Sequence, residues 1–284
     1  MNIVIYGSRR QENCFEQVRN FIYGLVSRGN DVMVHEKLYD HLIGELGMRS
    51  AGISRVFSCP DNADLAISLG GDGTFLRTAA WLGTLSVPIL GINTGHLGYL
   101  TAMTLDEATE CLESIEKLDF RRERLPLIQV EAPGVPKSTA ALNEVVVAKD
   151  DSSSMISAQA KLNGSLLARY TADGLIVSTP TGSTAYNLSV GGPILQPGTS
   201  VWVVSPIAAH SLTLRPLVVN DDAEMTITVT GRGSRFRLVV DGRAVSLPLG
   251  STVRLFKSAH SVINLQPYNR SFIDIIGSKL SFNG

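Results

Sequence analysis

Cysteine is scarce in this sequence: Cys14, Cys59 and Cys111 lie far apart among 284 residues and form no C-x-x-C pair. Three such thiols cannot all bridge one another, which excludes a disulfide framework and fits reduced thiols in a cytoplasmic protein. Net charge is equally scarce. Lysine plus arginine number 25 against 26 aspartate plus glutamate, a formal net charge of -1. No general field therefore draws the chain to a polyanion, and nucleic acid is not an expected partner. Any phosphate recognition has to be local. Long apolar runs are missing too. The opening MNIVIYGSRR has neither the basic start nor the long apolar core of a signal peptide, and reads as a first strand ending in a glycine turn. The longest charge-free interval, Gly174 to Leu214, is broken by Pro180, Pro193, Pro197 and Pro206, so no membrane span is expected. Neither H-E-x-x-H nor clustered metal-ligand spacing occurs, so no tightly bound metal is expected.

What is present changes character near residue 122. Before it, short apolar runs (Ile3 to Tyr6, Val32 to His35, Leu65 to Leu69, Val87 to Ile92) alternate with helical stretches (Phe15 to Ser27, Thr74 to Leu82, Leu105 to Lys117). That alternation predicts a parallel sheet flanked by helices. Beyond it, Asn163-Gly164 and Asp241-Gly242 are hairpin signals, and EMTITVT and STVRLF alternate in strand fashion. The chain is long enough for two domains, each with its own core.

The stretch DLAISLGGDGTFLRTAAWL places one carboxylate among glycines. LAISL reads as a buried strand and TFLRTAAWL has helical spacing, so Gly70-Gly71-Asp72-Gly73-Thr74 sits at a strand's carboxyl end and a helix N-terminus. Free backbone N–H groups there make an anion cradle, and the glycines let the backbone approach a phosphate closely. Neither named phosphate fingerprint applies. There is no G-x-x-x-x-G-K-[ST], and the G-x-G-x-x-G frame from Gly71 fails at Leu76. A carboxylate in such a cradle repels phosphate. Asp72 makes more sense beside a hydroxyl to be oriented or deprotonated, or near a cation travelling with phosphates; the structural alternative is that it caps the helix beginning at Thr74.

A second block, YTADGLIVSTPTGSTAYNLSVGGPIL, runs a strand into a turn made largely of hydroxyls and glycine. Such a turn suits a neutral polar ligand such as a nucleoside, with Tyr186 as an aromatic surface for a base; the alternative is a Ser/Thr-rich turn beside a core tyrosine. Asn143 and Glu144 in ALNEVVVAKD can grip base edges and ribose hydroxyls, although turn residues leading into a strand look the same. His210 in SPIAAHSLTLRPL is within character for a pyrophosphate contact or for an ordinary partly buried histidine.

Taken together, SLGGDGTFLRTA, GINTGHLGYL, LNEVVV, DGLIVSTPTGSTAYNLSVGGPIL and SPIAAHSLTLRPLVV follow one another as in the NAD kinase family, and the resemblance runs from the first strand to about Gln266. The glycine-aspartate block also resembles loops of diacylglycerol and sphingosine kinases and of phosphofructokinases. The block ending STAYNLSVGGPIL is much more specific. The resemblance implies a Rossmann-like, parallel-sheet α/β domain (1–122), an antiparallel, sandwich-like β-rich domain (123–266) and a C-terminal tail (267–284) returning to the first domain. It implies transfer of the γ-phosphoryl group of ATP or another donor, with Mg2+, to the 2′-hydroxyl of the adenosine ribose of NAD, giving NADP. Homodimers or homotetramers are the implied assemblies.

Carried over residue by residue, Asp72 resembles the catalytic carboxylate, with Gly70, Gly71, Gly73 and Thr74 in the phosphate-donor loop. Asp72, Gly73, Tyr99, Asn143, Glu144, Asp173, Thr184, Ala185, Tyr186 and Ser189 resemble NAD-binding positions, and His210 and Arg243 are candidate phosphate contacts. Two departures stand out: Arg243 replaces the glutamine many members carry, and Ala209 stands where a proline frequently precedes the histidine. The rival readings are a lipid-type kinase sharing the loop and a dinucleotide-binding sensor without catalysis.

Overall fold

A computed structural model of the chain describes residues 1–7, 14–95, 98–101, 103–150 and 154–280. They form two compact units, Met1–Arg124 with Val262–Gly284, and Leu125–Ser261.

The first unit runs β1 (Asn2–Gly7), α1 (Phe15–Ser27), β2 (Asp31–His35), α2 (Glu36–Tyr39) continuing as a π-helical stretch Asp40–Glu45, then β3 (Ile53–Val56), β4 (Leu65–Leu69), α3 (Asp72–Leu82), β5 (Ile89–Asn93), β6 (Met103–Thr104), α4 (Leu105–Glu110) and α5 (Leu112–Glu116). Strands β3-β2-β1-β4-β5 pair in parallel in that order. Every residue of β4 and β5 is buried, as expected of strands covered on both faces. On one face Ile3, Ile5, Leu65, Ile67, Leu90 and Ile92 meet Val18, Phe21, Ile22 and Leu25 of α1. The spacing of that helical set is a single apolar stripe, and each such side chain contributes about 1.5–3 kcal/mol by burial. Helix α3 packs on β4, β1 and β5.

The stretch from Leu105 to Lys117 is not one helix. It breaks at Cys111 (φ -111, ψ 30) between α4 and α5. Helix α4 opens with a capping box, in which the Thr104 hydroxyl accepts from the Glu107 N–H at 3.3 Å and the Glu107 carboxylate accepts from the Thr104 N–H at 2.8 Å. Pro88, which has no N–H to donate, lies ahead of β5 and gives its carbonyl to Ala66 N–H.

The second unit takes in β7 (Arg121–Glu131), which starts in the first, then β8 (Ala140–Ala141), β9 (Glu144–Lys149), β10 (Ile156–Leu162), β11 (Ser165–Ala172), β12 (Gly174–Ser178), a 3-10 turn Thr181–Thr184, α6 (Tyr186–Ser189), β13 (Val201–Ile207), β14 (Leu217–Asn220), β15 (Met225–Gly231), β16 (Arg235–Val240), β17 (Arg243–Pro248) and the first part of β18 (Thr252–Gln266). One antiparallel sheet has the order β14-β13-β12-β9-β16-β17. Its Val145, Val147, Leu175, Trp202, Phe236 and Leu238 share a core with Ala158, Ala160, Met225, Ile227, Val253 and Leu255 of the β10, β15 and β18 strands, the arrangement of a sandwich. Both hairpin signals are hairpins: Asn163 and Gly164 (φ 49 and 80) and Asp241 and Gly242 (φ 45 and 77) all take positive φ, as type I′ turns require.

The end of β18 belongs to the first unit, where Asn264 and Leu265 pair in parallel with Ile89 and Leu90, and α7 (Phe272–Leu280) follows. None of the three cysteines is in a disulfide. Among the described residues no helix is long and apolar enough to cross a membrane.

Candidate active site

The glycine-aspartate loop leaves β4 at Gly70, whose N–H donates to Ile92 O at 2.9 Å. Gly70 has φ +145, and a Cβ there would lie 2.4 Å from the Thr74 hydroxyl, so only glycine fits. Gly71 is the helix N-cap and Asp72 the first helical residue. This sets the capping alternative aside, because the Asp72 carboxylate turns instead to residues 98–101. Its Oδ2 accepts from the Tyr99 N–H at 2.8 Å. Its Oδ1 accepts from the N–H groups of Leu100 (3.0 Å) and Thr101 (3.3 Å) and from the Thr101 hydroxyl (3.2 Å). That buried hydroxyl is itself oriented by Asn93 Nδ2 at 2.9 Å and Gly98 N–H at 3.1 Å. The carboxylate is therefore held rigidly, with the positive end of the α3 dipole behind it. Each carboxylate oxygen offers about two acceptor sites, and Oδ2 has one described donor, so it can accept a further hydrogen bond.

Two neighbours complete this half. Tyr99 is half-buried, and burial first, then the charge of Asp72, holds its phenol above the ordinary range, so it keeps its proton. Arg77, which the sequence reading did not single out, donates from Nη2 to the Thr74 hydroxyl at 3.0 Å. Helical side chains lean toward the N-terminus, so a basic residue one turn into the helix was the available signal.

In the second unit, the loop leading into β9 and the turn after β12 are bound together. Thr179 N–H donates to Asn143 O at 2.9 Å and the Thr179 hydroxyl to Leu142 O at 2.5 Å. A Cβ on Gly182 would lie 2.1 Å from Asn143 O, so the turn can sit this close only because residue 182 is glycine. The Asp241 carboxylate, reaching out of its hairpin, accepts the N–H groups of Leu142 (2.7 Å), Asn143 (2.9 Å) and Glu144 (3.1 Å). Among the described residues Asn143 Oδ1, Glu144 Oε2 and the Thr181 hydroxyl are buried without a hydrogen-bond partner. Each such orphan costs about 1–3 kcal/mol, a pattern that fits a polar ligand supplying the missing donors. Burial first, and then the nearby charge of Asp241, pushes the Glu144 carboxyl up to about 7, against the opposing N–H of Tyr186.

The remaining sequence candidates are placed as follows. Thr184 closes the 3-10 turn through its hydroxyl to Thr181 O at 3.4 Å, and Ala185 N–H donates to Gly182 O at 2.9 Å. Tyr186 opens α6 with 44 % exposure, so it is not a core tyrosine. Ser189 is exposed. Asp173 is ion-paired with Lys149 at 2.7 Å. His210 and Arg243 are exposed, the former tied by its backbone N–H to Thr171 O at 2.9 Å. The charge-free block has a buried centre that sequence reading missed: Asn187 accepts the Ser205 hydroxyl at 2.7 Å and donates to Ser183 O and Pro193 O, both at 3.1 Å. Among the described residues no group of three or more His, Cys, Asp and Glu converges as a metal site would.

Comparison with known proteins bears on both halves. Residues 24–120 match the ATP-NAD kinase N-terminal domain and residues 142–265 the ATP-NAD kinase C-terminal domain. The NAD kinase of Porphyromonas gingivalis is 39% identical over 280 residues, 98% of this chain and 96% of that protein. Among solved structures, yeast NADH kinase complexed with NADH superposes with a TM-score of 0.87 at 24% identity, over 100% of this chain and 88% of that one. An NAD kinase from Archaeoglobus fulgidus in complex with ATP gives 0.77 at 25% identity, over 99% and 100%. The lipid-kinase reading finds no support in these matches. The chain belongs to the NAD kinase family.

Proposed function

We propose that this protein transfers the γ-phosphoryl group of ATP to the 2′-hydroxyl of the adenosine ribose of NAD, giving NADP, and that Asp72 is its catalytic carboxylate. The observation that carries the reading is a carboxylate immobilised by four donors at a helix start, with one acceptor site of Oδ2 lacking a described donor. That site accepts the 2′-hydroxyl and aims its oxygen at the γ-phosphorus. In a loose transition state the bond between the γ-phosphorus and the bridging oxygen of ADP is largely broken before the bond to the 2′-oxygen forms. A strong base is therefore unnecessary: the proton passes to Asp72 late, and ADP leaves with the electron pair of the broken bond. The N–H groups at the start of α3, with Arg77, receive the donor's phosphates.

A divalent cation fits this site as a companion of the donor. Mg2+ would be held by the donor's phosphate oxygens and by waters, since the one acceptor site left to Asp72 is given to the 2′-hydroxyl. When bound, it neutralises charge on the phosphates. On the NAD side, Asn143, Glu144 and Thr181 supply the unpartnered polar atoms for base and ribose, and Tyr186 supplies an exposed ring. Tyr99, Asp173, Thr184, Ala185 and Ser189 complete the dinucleotide contacts, with His210 and Arg243 toward the phosphates. On the same reading the enzyme is cytoplasmic and self-associates as a dimer or tetramer; the outer strand β14 supports this, exposing Leu217 by 40% and Val218 by 43%.

NADP formation from NAD, ATP and Mg2+ tests the proposal. Asp72→Asn keeps the shape but loses the base, and turnover should fall roughly 10²- to 10⁴-fold with little change in the KM for NAD. Wild-type turnover in that variant would overturn the role of Asp72.

A further inference from the structure

We infer that Asp241, in the turn between β16 and β17, is a positioning residue of the dinucleotide site: its carboxylate fixes the three consecutive backbone N–H groups from which Asn143 and Glu144 project. The inference rests on the reading of Asn143 and Glu144 as NAD contacts.

The hairpin alone does not account for this side chain. A type I′ turn accepts Asn-Gly as readily as Asp-Gly, and the turn needs only the backbone of residue 241. Its carboxylate instead leaves its own hairpin for a segment almost a hundred residues earlier in the chain. The donor set requires an aspartate there. Oδ1 accepts from both Asn143 and Glu144, and Oδ2 accepts from Leu142. An asparagine would keep one acceptor oxygen, and its amide N–H would confront the N–H of Leu142. Glutamate would place the acceptors one methylene too far along.

Enclosing this carboxylate is unfavourable. Burial lifts its proton affinity, and the three N–H groups, followed by the charge of Arg243, act in the opposite direction. The arrangement has a clear consequence for the site. With Asp241 N–H also donating to Glu144 O at 3.2 Å, the backbone of 142–144 is tied at every N–H. Asn143 and Glu144 are thereby held in place with Oδ1 and Oε2 unpartnered, rather than collapsing onto neighbouring donors. That is preorganisation: the ordering is complete before the substrate arrives.

Steady-state kinetics of the full chain carrying Asp241→Asn, Asp241→Ala or Glu144→Gln, alone and with Asp241→Asn combined with Glu144→Gln, tests this. Asp241→Asn should raise the KM for NAD about tenfold and Asp241→Ala about a hundredfold, with kcat within about threefold and the KM for ATP unchanged. In the Glu144→Gln background the added Asp241→Asn should raise the KM for NAD much less, because both substitutions disable one contact. A general loss of stability would show neither the split between the two substrates nor this coupling. An unchanged KM for NAD in folded Asp241→Ala, with Glu144→Gln impaired, overturns the inference. An unchanged KM in Glu144→Gln overturns the reading of the site instead. Should the Asp241 variants not fold, amide hydrogen exchange of the wild type decides: protected N–H groups at 142–144 support the clamp, and exchange at open-loop rates overturns it.

Discussion

At the scale of single residues, the catalytic proposal depends on groups with no side-chain signature. Asp72 is conspicuous in the sequence because a carboxylate is out of place in an anion cradle. Its holders are not, since three of the four donors are backbone N–H groups of residues 99–101. The same is true of Asp241, readable in the sequence only as part of a hairpin, because a contact between residues so far apart leaves no trace in local pattern. Asn143 and Glu144 stand out in the sequence by type and position, and their side chains carry buried oxygens without a partner. Gly98 illustrates a requirement that only coordinates reveal: a Cβ there would fall 1.9 Å from Asp72 Oδ1 and 2.6 Å from the Thr101 hydroxyl. Neither neighbour can yield without breaking the set that holds the carboxylate. Gly98→Ala should therefore lower kcat roughly 10- to 10³-fold, since a misplacement of about 1 Å costs on that order. Turnover beside a thermal melt checks this; a folded variant with wild-type kcat would mean that the Asp72 geometry tolerates displacement.

At the scale of elements, strongly periodic segments were legible and a short interruption was not. Helix α1 occupies Phe15–Ser27, the span its apolar spacing predicts, and both hairpins lie at their Gly-containing signals. The break at Cys111 was invisible because Leu105, Ala108, Leu112 and Ile115 keep one helical stripe across it, and all but Leu112 are fully buried. Periodicity reports which face is buried, not whether each hydrogen bond of the ladder is made. Strand β3 escaped notice because its ISRV sequence exposes Ser54 and Arg55 at the edge of the sheet. The break has an energetic consequence. A helix as short as α4 depends on its ends, since isolated short helices are marginal in water, and its N-terminus relies on the capping box of Thr104 and Glu107. Thr104→Ala should lower the unfolding free energy by about 0.5–2 kcal/mol with turnover retained. Urea unfolding measures the first, and an unchanged midpoint would show that tertiary packing, not the cap, sets the end of α4.

At the scale of the whole molecule, a buried carboxyl left without a partner leaves a mark on stability, and the sign of that mark is fixed by Glu144. Its folded carboxyl titrates at about 7, against an ordinary value of 4.5. Because the folded chain holds this proton more tightly than the unfolded chain, the associated stability is complete below the ordinary value and declines as pH rises. It is lost once pH passes the folded value. His35 works in the opposite direction over part of the same range. Burial lowers its affinity for a proton below that of an ordinary histidine, so its contribution is lost as pH falls. A raw stability profile therefore mixes slopes of both signs, and only a difference isolates one. The melting temperature of the free wild type minus that of Glu144→Gln should fall between pH 5 and pH 8, because the glutamine is uncharged throughout and keeps the His35 contribution intact. Saturating NAD should stabilise the wild type more than the variant, since a ligand stabilises the folded state in proportion to its affinity. Parallel profiles for the two proteins would mean that Glu144 is already paired in solution, and the orphaned oxygen would then not be the feature that receives the substrate.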